Sequence, residues 1–176
     1  MASAAVHPRT VRALHWVNAA AFFTLISSGW QVYAADPFWV GAFPAWMTLG
    51  GSLPGALQWH FAAMWLLLGN GLIALVALLA SGRLWRLYLH RSDERSLLQR
   101  AAYLGVLALL CTVAASGLAL WKPVQLQWLA EAFGGYESAR RVHFVCMALL
   151  GAFVSGHVVL ALVTPRVLRA MLGVPR

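Results

Sequence analysis

Four long apolar runs divided by short polar stretches set the pattern of the chain. Residues 13–33, 57–80, 102–121 and 142–163 contain no Asp, Glu, Lys or Arg. Each run reaches the roughly 20 residues that a helix needs to cross the hydrocarbon core of a lipid bilayer. Inside that core every backbone amide and carbonyl needs a partner from the protein, and a helix supplies one within a single segment. The pattern predicts an all-α fold, a transmembrane four-helix bundle, with residues 1–176 forming a single membrane-embedded domain. An even number of crossings puts both termini on the same side. No repeat or low-complexity tract is apparent.

The first run follows Arg9 and Arg12 and ends near Val32-Tyr33-Ala34, the outline of a cleaved signal sequence. A signal h-region runs for about 7–15 residues. This run is longer and carries His15, Trp16 and Asn18, which predicts a retained span.

Composition and charge then give the orientation. The chain is 61% hydrophobic and only 10% charged, with nine tryptophans, a balance foreign to a soluble domain. Most of its basic residues lie at the two ends and in the middle loop: Arg9 and Arg12, then Arg83, Arg86, Arg91, Arg95 and Arg100, then Arg166, Arg169 and Arg176. The opposite side holds Lys122, Arg140 and Arg141. Short loops rich in Lys and Arg stay in the cytoplasm, so both termini are expected there, in a multi-pass protein of the bacterial inner membrane. The net charge of +8 reads as topology and contact with anionic lipid, not as nucleic-acid binding.

Four of the six histidines fall inside the runs, and their depths match in pairs. His15 opens the first run at the inner edge, and His60 opens the second at the outer edge. On the fourth, His143 is outer and His157 inner. Fourteen residues of helix separate these two by about 21 Å and, at roughly 100° per residue, return them to nearly one face. Depth thus pairs His60 with His143 and His15 with His157. A lone histidine in a bundle is readily a packing or hydrogen-bonding residue. Four at two matched depths point to ligands, because ionisable groups in the membrane are costly and usually functional. His7 and His90 lie outside the runs and read as surface residues.

Each level offers two imidazoles and no carboxylate, which falls short of an ordinary zinc or copper site. Two axial ligands suit iron already held by a porphyrin, and two haem b groups follow, six-coordinate and fitted to electron transfer. Arg12, Arg83 and Arg166 on the inside, and Arg140, Arg141 and Lys122 on the outside, are the candidate contacts for haem propionates. Gly29, Gly69, Gly71, Gly105, Gly117, Gly151 and Gly156 would let a flat macrocycle approach the helices, or simply let helices pack. Asn18 and Asn70 either support a ligand or bond between helices. Quinone needs polar groups at membrane depth, which Arg12, Asn18 and His157 would supply. Cys111 and Cys146 read as packing residues, and no C-x-x-C-H is present for covalent haem attachment. No nucleophile–base pair, phosphate loop or acidic dyad is apparent, so no catalytic residue is assigned.

Arg12-Ala13-Leu14-His15-Trp16 on the first run, Gln58-Trp59-His60 on the second, a third run without histidine, and His143 with His157 on the fourth form a set. It resembles the bacterial four-helix dihaem b-type cytochromes, which include the cytochrome b subunits of membrane-bound Ni/Fe-hydrogenases and the formate dehydrogenase gamma subunit. The resemblance covers residues 9–166 and implies that the four histidines are the haem ligands, paired as depth suggests. It further implies electron transport between a periplasmic redox enzyme and the quinone pool, the chain being the electron-transfer subunit of a respiratory oxidoreductase. The segments Trp121-Lys122-Pro123-Val124-Gln125-Leu126 and Phe133-Gly134-Gly135-Tyr136 are similar to those of cytochromes that accompany molybdopterin-dependent enzymes. The partner so implied is molybdopterin-dependent or hydrogenase-like.

Three functions fit: this electron conduit, a stand-alone superoxide:quinone oxidoreductase of the same fold, and a haem-free transporter or assembly factor that uses the histidines for protons or a transient metal. The outer loops, residues 36–52 and an interfacial amphipathic helix expected within 124–133, either dock a partner or seal the outer end of the bundle.

Overall fold

The computed structural model describes residues 8–81 and 94–173. Arg83, Arg86 and Arg91 of the middle loop, His7, His90 and Arg176 lie outside the described residues. The helices are α1 (Arg9–Ala34), a 3-10 turn (Ala45–Met47), α2 (Leu53–Ala80), α3 (Glu94–Trp121), α4 (Gln127–Ala132), α5 (Tyr136–Val163) and α6 (Pro165–Leu172), with no strand among the described residues. They form two compact units, one built on α1, α2 and α6 and the other on α3, α4 and α5.

The long helices outrun the apolar runs at their N-terminal ends. Ser52 caps α2 by accepting from the Gly55 amide at 3.3 Å, and Pro54 occupies the first turn, where its missing N–H costs nothing. Glu137 sits favourably in the first turn of α5. Arg12, Arg100 and Arg141 border apolar runs without ending their helices.

Helices α2, α3 and α5 are long and apolar enough to cross a membrane. Helix α1 is less apolar because His15, Asn18, Thr24, Ser27 and Ser28 lie in it. Its 26 residues still extend about 39 Å, and it runs antiparallel along α2, with Asn18 beside Asn70 at one end and Ser28 beside His60 at the other. Helix α1 is thus paired along its length with a helix long and apolar enough to cross a membrane.

Small residues fill the helix contacts. Ala21, Ser28, Ala56 and Ala63 are buried in the first unit, and Ser116, Ala119, Ala130 and Ala139 in the second. Leu72, Ile73, Val159, Leu160 and Leu162 are exposed. In lipid there is no hydrophobic force between helices, so close backbone approach at small residues and polar contacts hold them together. Asn70 supplies such a contact, donating through Nδ2 to Asn18 Oδ1 at 2.6 Å and to the Leu14 carbonyl at 2.8 Å.

At one end of the first unit the first turn of α1 meets the end of α6. Arg12 donates from Nε to the Met171 carbonyl at 3.0 Å and from Nη2 to the Leu172 carbonyl at 2.8 Å, and Trp16 Nε1 reaches Met171 O at 3.4 Å. These carbonyls end α6, where a helix leaves its acceptors unsatisfied and carries partial negative charge. Gly173 closes the helix at φ +77°, and a β-carbon there would overlap the Arg12 guanidinium. The N-terminal end of α1 and the end of α6 therefore lie together in the first unit. Helix α6 was not anticipated from the apolar runs, since its eight residues alternate basic and apolar groups.

The predicted interfacial helix is present as α4, ending before Gly134 and Gly135, both at positive φ. In the first unit residues 36–52 fold back on α1. Tyr33 Oη accepts from the amides of Phe38, Trp39 and Val40 at 3.2, 3.0 and 2.8 Å and donates to the Val40 carbonyl at 2.8 Å, while Trp30 stacks on Phe43 at 4.8 Å. Tyr33→Phe removes the shared acceptor and is expected to destabilise this loop by about 1–3 kcal/mol. Limited proteolysis in detergent should show faster cleavage within residues 36–52 than in the wild type or in Trp46→Ala, whose indole is 83% exposed. Equal rates in all three would assign the loop's order to the Trp30–Phe43 stack instead.

Candidate haem-binding site

His60 lies two turns into α2, with its ring against α1. Its Nδ1 is 3.0 Å from Ser28 Oγ, and a β-carbon on Gly29 would sit 3.4 Å from its Cε1. Ser28 has one proton, which it gives to the carbonyls of its own helix, Thr24 O at 2.6 Å and Leu25 O at 3.2 Å. It therefore receives a proton from His60, and Nδ1 is the protonated nitrogen.

The second unit repeats the arrangement. His143 Nδ1 is 3.2 Å from Ser116 Oγ and 3.0 Å from the Val113 carbonyl, and Ser116 donates to Thr112 O at 2.8 Å and Val113 O at 3.1 Å. A carbonyl only accepts, which again places the proton on Nδ1. Gly117 lies under this ring, where a β-carbon would come 3.0 Å from Cε1. In both histidines the ring lone pair is on Nε2, as a ligating imidazole with its other nitrogen anchored requires.

These contacts expose a correspondence in the sequence. Thr24-Leu25-Ile26-Ser27-Ser28-Gly29 matches Thr112-Val113-Ala114-Ala115-Ser116-Gly117, and His60-Phe61 with Met64 matches His143-Phe144 with Met147. Thr24 and Thr112 also bond identically to carbonyls one turn back, at 2.9 and 2.8 Å. The chain contains an internal repeat after all, each copy a helix pair. It escapes a linear reading because its matched positions are few and are divided between two helices.

His15, half-buried on α1, meets the Trp16 ring edge-on at 5.4 Å. His157, exposed on α5, stacks on Phe153 at 6.4 Å. His15 lies thirteen residues, about 20 Å, from the Ser28 level of α1, much as His157 lies from His143. Each unit thus carries one histidine toward each end. Among the described residues no three His, Cys, Asp or Glu side chains gather. The donors present are single imidazoles on apolar helices, those of His60 and His143 anchored through Nδ1, a set that fits porphyrin-held iron.

The arginines are placed differently from one another. Arg12 is engaged with the end of α6, Arg140 pairs with Glu137 at 3.4 Å, and Arg141 is exposed. Asn18 and Asn70 bond between helices. Of the glycines, Gly29 and Gly117 touch histidine rings, whereas Gly69, Gly71, Gly105 and Gly156 border open space. Ser28 and Ser116 were not singled out from sequence; the Ser-Gly dipeptide shared by α1 and α3 was the available signal.

The sequence profile of prokaryotic cytochrome b561 matches residues 6–173. A protein of Azospira oryzae named as a protein-methionine-sulfoxide reductase subunit, YedZ1, is 45% identical over 96% of this chain and 96% of its own length. No solved structure matches the chain.

The two glycine contacts differ in tolerance. A β-carbon at 3.4 Å is ordinary packing, whereas one at 3.0 Å forces the ring to give way. Gly117→Ala is therefore expected to alter the reduced-minus-oxidised haem spectrum or lower haem content, with Gly29→Ala close to wild type. Identical spectra and content in both variants would mean that the His143 ring has room to shift.

Proposed function

Because the chain belongs to the prokaryotic cytochrome b561 family, multi-pass membrane proteins with b-type haem, we propose that it is a dihaem cytochrome carrying electrons between the quinone pool and a periplasmic oxidoreductase. The observation that carries this reading is the matched anchoring of His60 and His143, each with Nδ1 held by a buried serine and its lone pair on Nε2. His60 and His143 serve the outer haem, and His15 and His157 the inner one. A bound haem supplies a one-electron iron couple.

The protein's own part is to fix the rings, keep water away and hold the levels apart. The apolar helices do the second, and about 21 Å of α5 does the third. Both termini lie in the cytoplasm, which puts His60 and His143 toward the periplasm. Arg140 and Arg141, one turn before His143, supply positive charge for propionates there. At the inner level Arg12 already satisfies α6, so propionate and quinone contacts fall more to its neighbours.

The Azospira relative suggests the partner: a reductase of protein methionine sulfoxide, molybdopterin-dependent as the loop segments imply. A reductase consumes electrons, so they run outward from quinol. The outer loops, residues 36–52 and α4, form the docking side.

The test is haem quantified as the pyridine complex in purified wild type and His60→Ala. Two b haems per chain, with the variant keeping one and losing electron delivery to the periplasmic reductase, is the expected result. A colourless wild type produced with ample haem overturns the proposal. Superoxide-dependent quinone reduction by the isolated chain would replace the partner with superoxide.

A further inference from the structure

Ser28 and Ser116 are fully buried, 0% exposed, and each stands between a carbonyl of its own helix and an imidazole Nδ1 of the next. A serine beside a helix carbonyl needs no second partner, since back-bonding alone satisfies its proton. The second contact, present in both repeats and joined at His143 by the Val113 carbonyl, calls for another explanation. We propose that Ser28 and Ser116 are positioning residues that set the reduction potential of the outer haem, an inference that rests on the dihaem reading above.

The physical chain runs from carbonyl to hydroxyl to ring. A hydroxyl that donates to a carbonyl becomes a better acceptor, because hydrogen bonds in series polarise one another. It therefore draws the Nδ1 proton and makes the imidazole more electron-rich at Nε2. An electron-rich axial ligand favours ferric over ferrous iron and lowers the potential. With both serines fully buried, bulk water does not take over the bond when the hydroxyl is deleted. Gly29 and Gly117 keep each ring against its serine, so the bond also fixes the ring plane. Since both axial rings carry the same device, the two serines act in one direction on one haem.

The test is spectroelectrochemistry of the purified, haem-loaded full chain in Ser28→Ala, Ser116→Ala and the double variant, with electron paramagnetic resonance of the ferric form. The outer component is identified as the one that His60→Ala removes. Each alanine variant should raise the midpoint of that component, the double variant should raise it further, and the inner component should stay in place. The low-spin ferric signal of the outer component should move in parallel, and Ser116→Thr, which restores a hydroxyl, should bring both readouts back toward wild type. Unmoved midpoints, or equal movement of both components, overturn the inference while leaving the dihaem reading intact. A wild type without haem overturns both. Should Ser28→Ala fail to fold, Ser116→Ala decides alone, because the Val113 carbonyl at 3.0 Å still holds His143 Nδ1.

Discussion

A hydroxyl wedged between its own helix and a histidine of the next is the contact on which this protein turns. In hydrocarbon an unpaired polar group costs several kcal/mol, so a ring nitrogen that is to face a ligand needs its other nitrogen satisfied by the protein. Ser28 and Ser116 do this only because the helices approach closely. That approach needs alanine and glycine at the seam, which is why Ala21, Ala56, Ala63, Ala119 and Ala139 are buried while most large side chains are not. Seam composition, ring placement and the outward display of leucine and valine are one solution to one constraint.

The polar contacts change in kind with depth. Imidazole and hydroxyl sit toward one end of α1 and α2, the neutral Asn18–Asn70 pair toward the other, and charge enters only where the chain leaves the apolar region, as Arg12 against the end of α6. Hydrogen bonds between membrane helices average about 0.6 kcal/mol each, enough to fix register without locking the bundle. The charged contact is worth more, about 1.5–3 kcal/mol for a bond to an ionised group, and it lies where water can still solvate the guanidinium.

The apolar runs sufficed for the helical class and for four long helices, because length and absence of charge are one-dimensional properties. The anchoring serines were invisible to that reading, since a serine in an apolar helix looks the same whether it bonds only to its own backbone or also to a neighbour. Asn18 and Asn70 left two readings open, and only their contact separates them. Arg12 looked like an anion contact at the inner edge because its partner, α6, is too short and too basic to register as an apolar run.

The internal repeat covers the surroundings of His60 and His143 and does not extend to His15 and His157. His60 and His143 occupy equivalent positions of α2 and α5 with equivalent surroundings. The position of α3 that corresponds to His15 holds Tyr103, and the position of α2 that corresponds to His157 holds Ala74. His15 and His157 therefore lie on non-equivalent helices, one packed edge-on to Trp16 and the other stacked on Phe153. The two pairs of histidines then differ in ring anchoring and exposure, the two levers, besides ligand identity, through which a protein would separate the potentials of bound haems. Duplication alone would make the two ends of each helix pair alike; placing His15 and His157 off the repeat is what makes one end of each pair unlike the other.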